Sequence, residues 1–255
     1  MADSKLIFQS ITHTEGASRD TKVEVPHDEV HVWGFLLDAD AETMRWARRC
    51  LSLDETERAD RLVSERRRQE FILAHAALRM VLSGYCGRKP HELLLQRTRA
   101  GKPVLQSADA GLDAIRFNLT HSHGRALIAV AKSRDVGIDL EKVRTEVDVV
   151  SLARRFLSHQ EQAAIERLET ARRHEQFLRL WVGREAALKA EGTGVTLPLN
   201  RERVEISADG KEARLVSDER RQHPTQFIIR FLPIEAGWMG AVAAAGDAWR
   251  FRLCR

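Results

Sequence analysis

The alternation of apolar and polar residues along the chain predicts a mixed α+β protein with many short strands. Helical spacing of apolar residues predicts helices over residues 54–85, 152–168 and 175–191. Apolar runs typical of strands lie at residues 30–37, 93–95, 115–119, 126–131 and 136–141, and a second series at 204–206, 213–216, 227–232 and 238–245. A Gly-Lys-Pro turn lies at residues 101–103.

The pattern repeats within the chain. Leu51 and Ser52 match Leu157 and Ser158, which lie 106 positions later, and the same offset lays Val30 on Val136. Because the identities are few, a chance match is the alternative. We interpret the repeat as two similar α/β subdomains, residues 28–135 and 136–255, after a loose N-terminal lead-in of residues 1–27. A cleft between such halves is the natural ligand site.

The strand predicted at residues 136–141 carries the first candidate chemistry. Its side chains alternate between two faces, so that Ile138 and Leu140 point into a core while Asp139 and Glu141 share the opposite face. The two carboxylates leave the backbone about 7 Å apart. Two oxygen ligands at this spacing suit a hard cation such as Mg²⁺. The alternative is an exposed strand edge with two solvated acids.

A second candidate lies in the helix predicted at residues 175–191. Trp181, Glu185 and Lys189 are spaced four residues apart and therefore share one face. The alternative is a surface Glu–Lys pair beside a core tryptophan, which adds only ~0.3 kcal/mol. Combined with the acidic strand, these residues would give three carboxylates and a lysine. That set suits a magnesium–pyrophosphate group, because oxygen ligands hold the ion and the lysine neutralises phosphate.

Composition narrows the partner and the compartment. The 255 residues carry a net charge of +4 and a pI near 9.2, which favours a polyanionic partner. No apolar run reaches the ~18–20 residues of a membrane helix. Cys50, Cys86 and Cys254 are isolated in sequence, so the cytoplasm is the expected location. A nucleic-acid-binding module is an alternative suggested by Arg66, Arg67 and Arg68, although the single Tyr gives little material for base stacking.

Four motifs in order resemble the Sfp-type 4′-phosphopantetheinyl transferase family. They are Gly101-Lys102-Pro103, Phe117-Asn-Leu-Thr-His-Ser122, Gly137-Ile-Asp-Leu-Glu141 and Trp181-Val-Gly-Arg-Glu-Ala-Ala-Leu-Lys189. The resemblance covers roughly residues 50–200. It implies an α+β fold of two subdomains related by a pseudo-two-fold axis, with the active site in the cleft between them. The N-terminal subdomain would bind the adenine and 3′-phosphate of coenzyme A, and the C-terminal one the magnesium and pyrophosphate.

The resemblance also implies a role for each matching residue. Asp139, Glu141 and Glu185 would bind Mg²⁺, with Mn²⁺ as a second option, against the pyrophosphate of coenzyme A. Glu185, Lys189 and Asp139 would be catalytic: Glu185, or a water on the metal, takes the proton of a carrier-protein serine, and 3′,5′-ADP leaves. The residues implied in coenzyme A binding are Arg58, Arg61, Lys102, Thr120, His121 and Lys189.

Some of these assignments have alternatives. His121 is either a phosphate-binding histidine or a turn histidine bonded to the backbone. Arg184 stands where the family usually has a lysine, and a guanidinium has a different shape from an ammonium. Glu70 stands where some members have an arginine that contacts coenzyme A.

The resemblance implies a monomeric enzyme whose partner is an acidic apo acyl or peptidyl carrier protein, without nucleic acid or membrane. The motifs do not separate carriers of fatty acid, polyketide and nonribosomal peptide biosynthesis. One alternative function is a metal-dependent phosphohydrolase acting on a nucleotide or a phosphate ester. Another is a family member that keeps the fold and has lost its activity.

Overall fold

Two five-stranded sheets and two 22-residue helices form the framework of the protein. The computed structural model describes residues 5–12, 23–106, 114–192, 202–217 and 226–255. The helices are α1 Ala41–Cys50, α2 Leu53–Asp60, α3 Glu65–Cys86, α4 Val149–Phe156, α5 His159–Glu166 and α6 Thr170–Glu191. The strands are β1 Gln9–Ser10, β2 Glu29–Leu36, β3 Leu95–Arg97, β4 Pro103–Leu105, β5 Ile115–Ser122, β6 Arg125–Lys132, β7 Val136–Lys142, β8 Glu202–Ile206, β9 Glu212–Ser217, β10 Phe227–Phe231, β11 Trp238–Ala245 and β12 Arg250–Leu253.

The order of elements occurs twice along the chain, and the α+β prediction is confirmed. A strand, three helices and four strands run from β2 to β6, and the same series runs from β7 to β11. The strand registers agree as well: Val30 of β2 pairs with Ala131, and Val136 of β7 pairs with Ala244. The boundary predicted between residues 135 and 136 falls just before β7 and stays a prediction.

The two sheets pack face to face and carry their helices on the outer sides. The first sheet has the order β1-β2-β6-β5, with β12 also paired to β2, and the second has the order β7-β11-β10-β9-β8. Apolar side chains of β2 and β6 meet those of β7 and β11 in a shared core, among them Val32, Leu127, Ile138 and Val242. A second core lies between the first sheet and α1–α3, and a third between the second sheet and α4–α6.

The helix predictions need three corrections. Helix α1 was not predicted, and the helices expected over residues 54–85 and 152–168 are each two helices. Side-chain caps explain both breaks. Ser64 caps the start of α3, since its Oγ accepts from the backbone of Arg67, and Ser158 forms a capping box with Glu161 at the start of α5. A cap ends one helix pattern and begins another without interrupting the apolar periodicity.

Part of the N-terminal lead-in, predicted to be loose, packs on the first sheet. Strand β1 pairs in parallel with the end of β2, and Leu6 and Ile11 beside it are buried. Residues 13–22 lie outside the described residues. No helix in the described ranges has both the length and the apolar character needed to cross a membrane.

Each half contains a buried ion pair in an equivalent place. Glu55 and Glu161 are the third residues of α2 and α5, and each forms a capping box with the preceding serine. Glu55 accepts from Arg79 Nε of α3 at 2.6 Å, and Glu161 accepts from Arg184 Nη2 of α6 at 2.8 Å. Such caps satisfy the open backbone donors of a helix start. The pairs therefore fix each short helix against its long neighbour.

Strand β7 touches helix α6 backbone to backbone because residue 137 is glycine. A Cβ atom at Gly137 would lie 2.1 Å from the carbonyl oxygen of Ala186 and 2.3 Å from the backbone nitrogen of Ala190. Any side chain there would push strand and helix apart, because neither obstacle is a flexible group. The glycine thus sets the separation of the two elements that carry the acidic residues and the lysine of the predicted site.

We expect Gly137→Ala to destabilise the protein by ~3 kcal/mol or more, at the upper end of the cost of overpacking. Gly84→Ala is the matched control, because a Cβ atom there meets only a side-chain atom of Val23 at 3.5 Å. In the interior of α3 this control should gain ~0.5–1 kcal/mol of helix propensity. Urea unfolding of both variants measures the difference. Equal stabilities would contradict the close contact.

Candidate active site

The candidate site lies where the free edges of the two sheets meet. Strand β5 ends the first sheet and β7 ends the second, and within the described part of the chain neither has a strand partner on its outer side. Three polar side chains of β5, spaced two residues apart, close this seam. Asn118 Oδ1 accepts from the backbone of Ile138 at 2.9 Å, Thr120 Oγ1 donates to Asp139 at 3.1 Å, and Ser122 Oγ donates to Glu141 at 3.0 Å.

Asp139 is the most buried of the predicted site carboxylates, with 4% of its surface exposed. Its Oδ1 accepts from Thr120 and from Lys189 Nζ, the latter at 2.5 Å. Its Oδ2 is buried and has no hydrogen-bond partner among the described residues. A buried carboxylate oxygen without a partner is costly. Asp139 is therefore oriented by one oxygen and has the other available for a ligand.

Glu141 and Glu185 lie within the electrostatic reach of Asp139. Burial, followed by the negative charge of Asp139, raises the pKa of Glu185, and the same two causes in the same order raise the pKa of Glu141. Lys189 and the hydrogen bond from Ser122 oppose the shift at Glu141. Like charges in a partly desolvated site repel one another. The site thus holds more negative charge than its own cation neutralises.

Lys189 provides the cation of the site. Its ammonium donates to Asp139 and, at 3.2 Å, to Thr120 Oγ1. The side chain is 30% exposed, so it reaches from a buried carboxylate to the solvent side. One turn of α6 separates Lys189 from Glu185, which places both on the face packed on β7. The structure therefore brings Asp139, Glu141, Glu185 and Lys189 together.

These residues fit a divalent cation in their chemistry. The donors are all carboxylate oxygens, the type that Mg²⁺ prefers. The partnerless Oδ2 of Asp139 and the raised pKa values of Glu141 and Glu185 are what an added positive charge would relieve. Within the described ranges, no three His, Cys, Asp or Glu side chains are already grouped to hold an ion. In this arrangement the Lys189 ammonium neutralises Asp139 instead.

His121 lies on the other face of β5, toward α3. Although part of its ring is open to solvent, desolvation lowers the pKa of its imidazole; nearby His75 and Lys189 lower it further, and Glu70 raises it. His75 is itself buried; its Nδ1 bonds to Glu55, and its ring stacks on that of Phe71 with the ring centres 4.1 Å apart. The role of His121 in binding a phosphate stays a prediction.

The two predicted arginines occupy different environments. Arg58 is half-buried, with its guanidinium 5.4 Å from the centre of the Phe71 ring, and its Nη1 is buried without a hydrogen-bond partner among the described residues. Arg61 is exposed and lies 4.0 Å from Glu57. Arg58 has an unsatisfied donor beside the Phe71–His75 stack, whereas Arg61 shows only a loose surface pair. Phosphate contacts by either residue stay predictions.

Lys102 and Thr120, both predicted to bind coenzyme A, have hydrogen-bond partners within the chain. The Lys102 ammonium is bonded to three backbone carbonyls rather than directed to an open anion site. Thr120 is bonded to Asp139 and Lys189, so its contacts within the chain are to the catalytic group. These contacts do not test the predicted binding of the 3′-phosphate by Lys102 or of coenzyme A by Thr120. Both predicted roles therefore rest on the family resemblance alone.

An apolar groove opens beside the acidic cluster. Its volume is about 200 Å³, and it lies between the end of β7, α4 and α6. The lining includes Glu141, Arg144, Leu152, Phe156, Phe177 and Trp181. Trp181 lies on α6 one turn before Glu185; its ring is stacked on Phe177 and meets Phe156 edge-on. The groove leads from an aromatic wall to a carboxylate of the candidate site.

Sequence reasoning missed two functions of the motif residues. It assigned no role to Asn118 and Ser122, although small polar residues at every second position of a buried strand are a readable signal. It also left open what Arg184 contacts. Arg184 is fully buried and donates to both carboxylate oxygens of Glu161, at 2.9 and 2.8 Å. Its guanidinium therefore stabilises the packing of α5 against α6.

Comparison with known proteins finds 4′-phosphopantetheinyl transferases, in agreement with the resemblance of the sequence motifs. The family model of the 4′-phosphopantetheinyl transferase superfamily matches residues 135–242, and the model of the 4′-phosphopantetheinyl transferase N-terminal region matches residues 38–134. The chain is 34% identical over 225 residues to the 4′-phosphopantetheinyl transferase HetI of Nostoc, covering 88% of this chain and 90% of that protein. It is 28% identical over 209 residues to the 4′-phosphopantetheinyl transferase Sfp of Bacillus subtilis, covering 77% and 88%.

We expect Glu185→Gln to raise the melting temperature of the metal-free protein at neutral pH. The substitution removes a charge that burial and Asp139 disfavour, and each kcal/mol relieved raises Tm by about 2–4 °C in a chain of this size. Because the folded pKa is raised, the gain should vanish as the pH falls below the ordinary range of a carboxyl, where Glu185 is protonated in both states.

Glu175→Gln is the matched control for this measurement, since Glu175 is exposed on the same helix. It should leave Tm nearly unchanged. Thermal scans in EDTA at several pH values report both variants. A Tm of Glu185→Gln at or below that of the parent protein at neutral pH would contradict the electrostatic account.

Arg184→Lys tests the assignment of Arg184 to the scaffold. One guanidinium nitrogen, Arg184 Nη2, reaches both carboxylate oxygens of Glu161, and the compact ammonium of a lysine has a different shape and reach, so we expect a buried acceptor to lose a partner at a cost of about 1–3 kcal/mol. We expect lower stability in urea unfolding and an unchanged affinity for Mg²⁺ by calorimetry. Lost Mg²⁺ affinity at unchanged stability would instead place Arg184 in the acidic site.

Proposed function

Since the chain belongs to the Sfp-type 4′-phosphopantetheinyl transferase family, we propose that it transfers the 4′-phosphopantetheine arm of coenzyme A to a serine of an apo acyl or peptidyl carrier protein. The observation that carries the proposal is the meeting of Asp139, Glu141, Glu185 and Lys189 at the seam, where one buried oxygen of Asp139 has no hydrogen-bond partner among the described residues. Such a set suits the pyrophosphate of a nucleotide-like donor with its counter-ion.

We propose that Asp139, Glu141 and Glu185 hold Mg²⁺, or Mn²⁺ in its place. What the ion supplies when bound is neutralisation of charge on the pyrophosphate. The chain's own cation complements it, because Lys189 is half-solvated and can donate to a phosphate oxygen once Asp139 has another partner. Thr120 keeps Asp139 oriented through this change, since its hydroxyl bonds to the same oxygen.

Glu185 is the base in this proposal. Its buried carboxylate lies in the acidic cluster, one helical turn from Lys189, where a positioned carboxylate can act as a general base. The serine oxygen of the carrier forms a bond to the phosphorus that bears the pantetheine arm, and its proton passes to Glu185. The bond from that phosphorus to the adjoining phosphate oxygen breaks, and 3′,5′-ADP leaves with the bonding electrons. Lys189 stabilises the charge that develops on this oxygen.

The neighbouring features are assigned by chemistry. The aromatic groove beside Glu141 is where we place the pantetheine arm, because it is apolar and opens at the reacting group. Arg58 and His121 lie on the α3 side of the seam, where we place the 3′-phosphate and adenine. The positive net charge of the chain favours an acidic carrier protein.

The compartment and the working unit belong to the same proposal. The three cysteines of the chain are free thiols, and burial raises the pKa of Cys50 to about 11. Free thiols of this kind suit a reducing compartment. We therefore propose the cytoplasm as the location and one chain as the active form, since both halves of the site come from the same chain.

Intact-mass spectrometry of an apo acyl carrier protein, incubated with this protein, coenzyme A and Mg²⁺, tests the function. We expect the carrier to gain one phosphopantetheine arm, and EDTA to prevent the gain. Glu185→Gln should slow transfer by about 10²–10⁴-fold, as loss of a general base does. The exposed Glu175→Gln on the same helix should transfer at the parent rate.

Two results would contradict the proposal. One is hydrolysis of coenzyme A or of simple phosphate esters without any gain by the carrier, which would favour a metal-dependent phosphohydrolase. The other is the absence of both transfer and coenzyme A binding with several carriers.

A further inference from the structure

Lys102 links the turn between β3 and β4 to both elements of the site. Its ammonium donates to the carbonyl oxygens of Val136 at 3.0 Å, Lys189 at 2.7 Å and Ala190 at 3.2 Å. Val136 begins β7, and the other two acceptors lie in the last turn of α6. One half-buried cation from the first half of the chain thus holds together the two elements of the second half that carry the acidic cluster.

The end of α6 creates the acceptors that Lys102 uses. The helix stops at Gly192, whose φ of +78° is the left-handed conformation that glycine favours, and the backbone nitrogen of Gly192 donates to Leu188. The following carbonyls have no partner within the helix, and the C-terminal end of a helix favours a positive charge. The stem of Lys102 runs beside this cap, 3.8 Å from where a Cβ atom at residue 192 would lie.

The remaining bond of Lys102, to the carbonyl oxygen of Val136, lies at the free edge of β7. On the side facing β5, Asn118 accepts from the backbone of Ile138, and Lys102 binds the carbonyl of Val136. Between these two bonds lies Gly137, where β7 touches α6. Lys102 therefore acts at the same contact that Gly137 permits: glycine allows the approach, and the ammonium bonds to both sides of it.

We propose that Lys102 is a positioning residue of the transfer reaction, which sets Lys189 and Glu185 of α6 relative to Asp139 and Glu141 of β7. This proposal rests on the proposed function, because its effect on kcat can be measured only if the protein catalyses the transfer. In this role Lys102 does not touch the 3′-phosphate of coenzyme A. Its three bonds use all three donors of an ammonium, so none is left for a phosphate.

The charge state of Lys102 agrees with this role. Burial lowers the pKa of its ammonium to about 8; nearby Asp135 raises it and Arg116 lowers it. Those two residues also face each other at 3.5 Å. Above about pH 8 the amine loses one donor and its charge, and the bond to the helix end weakens. We expect turnover to fall in that range while the affinity for coenzyme A is kept.

Lys102→Met is the direct test, with Lys211→Met as the matched control. Lys211 is the exposed lysine of the Gly-Lys pair at the corresponding turn of the second half. Each variant is assayed with coenzyme A and with 3′-dephospho-coenzyme A, and the binding of both compounds is measured by calorimetry. We expect kcat of Lys102→Met to fall by about 10- to 100-fold, as for a misplaced catalytic group. The preference for coenzyme A over its dephospho form should be unchanged, and Lys211→Met should match the parent protein.

A loss of that preference with kcat unchanged would overturn the proposal and make Lys102 a phosphate-binding residue. Amide hydrogen exchange gives a readout independent of turnover: we expect faster exchange in the last turn of α6 in Lys102→Met, and equal exchange would also overturn it. Lys102→Arg keeps the charge and several donors, so it should recover part of the kcat lost in Lys102→Met. It also serves as the test variant if Lys102→Met folds poorly. Absence of transfer by the parent protein itself would refute the proposed function, while the exchange result would still report on Lys102.

Discussion

The seam between two sheet edges is the constraint on which the rest of the structure depends. A strand edge normally pairs with another strand or is exposed to solvent. Here β5 and β7 meet through side chains: Asn118 serves the backbone of β7, while Thr120 and Ser122 bind Asp139 and Glu141. These bonds add to the shared apolar core in joining the two halves, and two of them also orient the carboxylates. Packing of the two halves against each other therefore also positions the carboxylates of the site.

Matching strand positions in the two halves carry apolar residues in the first half and acidic residues in the second. With Val30 laid on Val136, Trp33 and Phe35 correspond to Asp139 and Glu141. In the first half both residues are apolar and pack in the core beneath α1–α3. In the second half the same face of the strand carries two acids against α6, and burial together with their charge raises the pKa of Glu185. The equivalent buried pairs, Glu55 with Arg79 and Glu161 with Arg184, keep the framework similar while the strand faces differ.

Much of this could be predicted from sequence, and the failures have definite physical causes. The period-two pattern of residues 136–141 and the four-residue spacing from Trp181 to Lys189 predicted which side chains share a face, because secondary structure alone determines that. Caps such as Ser158 were missed because they interrupt a helix without changing its apolar periodicity. The contacts of Lys102 could not be predicted, since its acceptors lie 34, 87 and 88 residues away along the chain. Only tertiary packing brings them together.

The site has an electrostatic cost that its surroundings offset only in part. Lys189 neutralises Asp139, yet Glu141 and Glu185 remain with raised pKa values, and in the described part of the chain one oxygen of Asp139 has no hydrogen-bond partner. A site optimised for stability would replace one of these acids. Retaining all of them makes sense where an additional cation and a phosphate arrive together, because each then relieves the charge that the other would leave. Since Thr120 and Lys102 come from the first half and Lys189 from the second, neither half alone contains this balance.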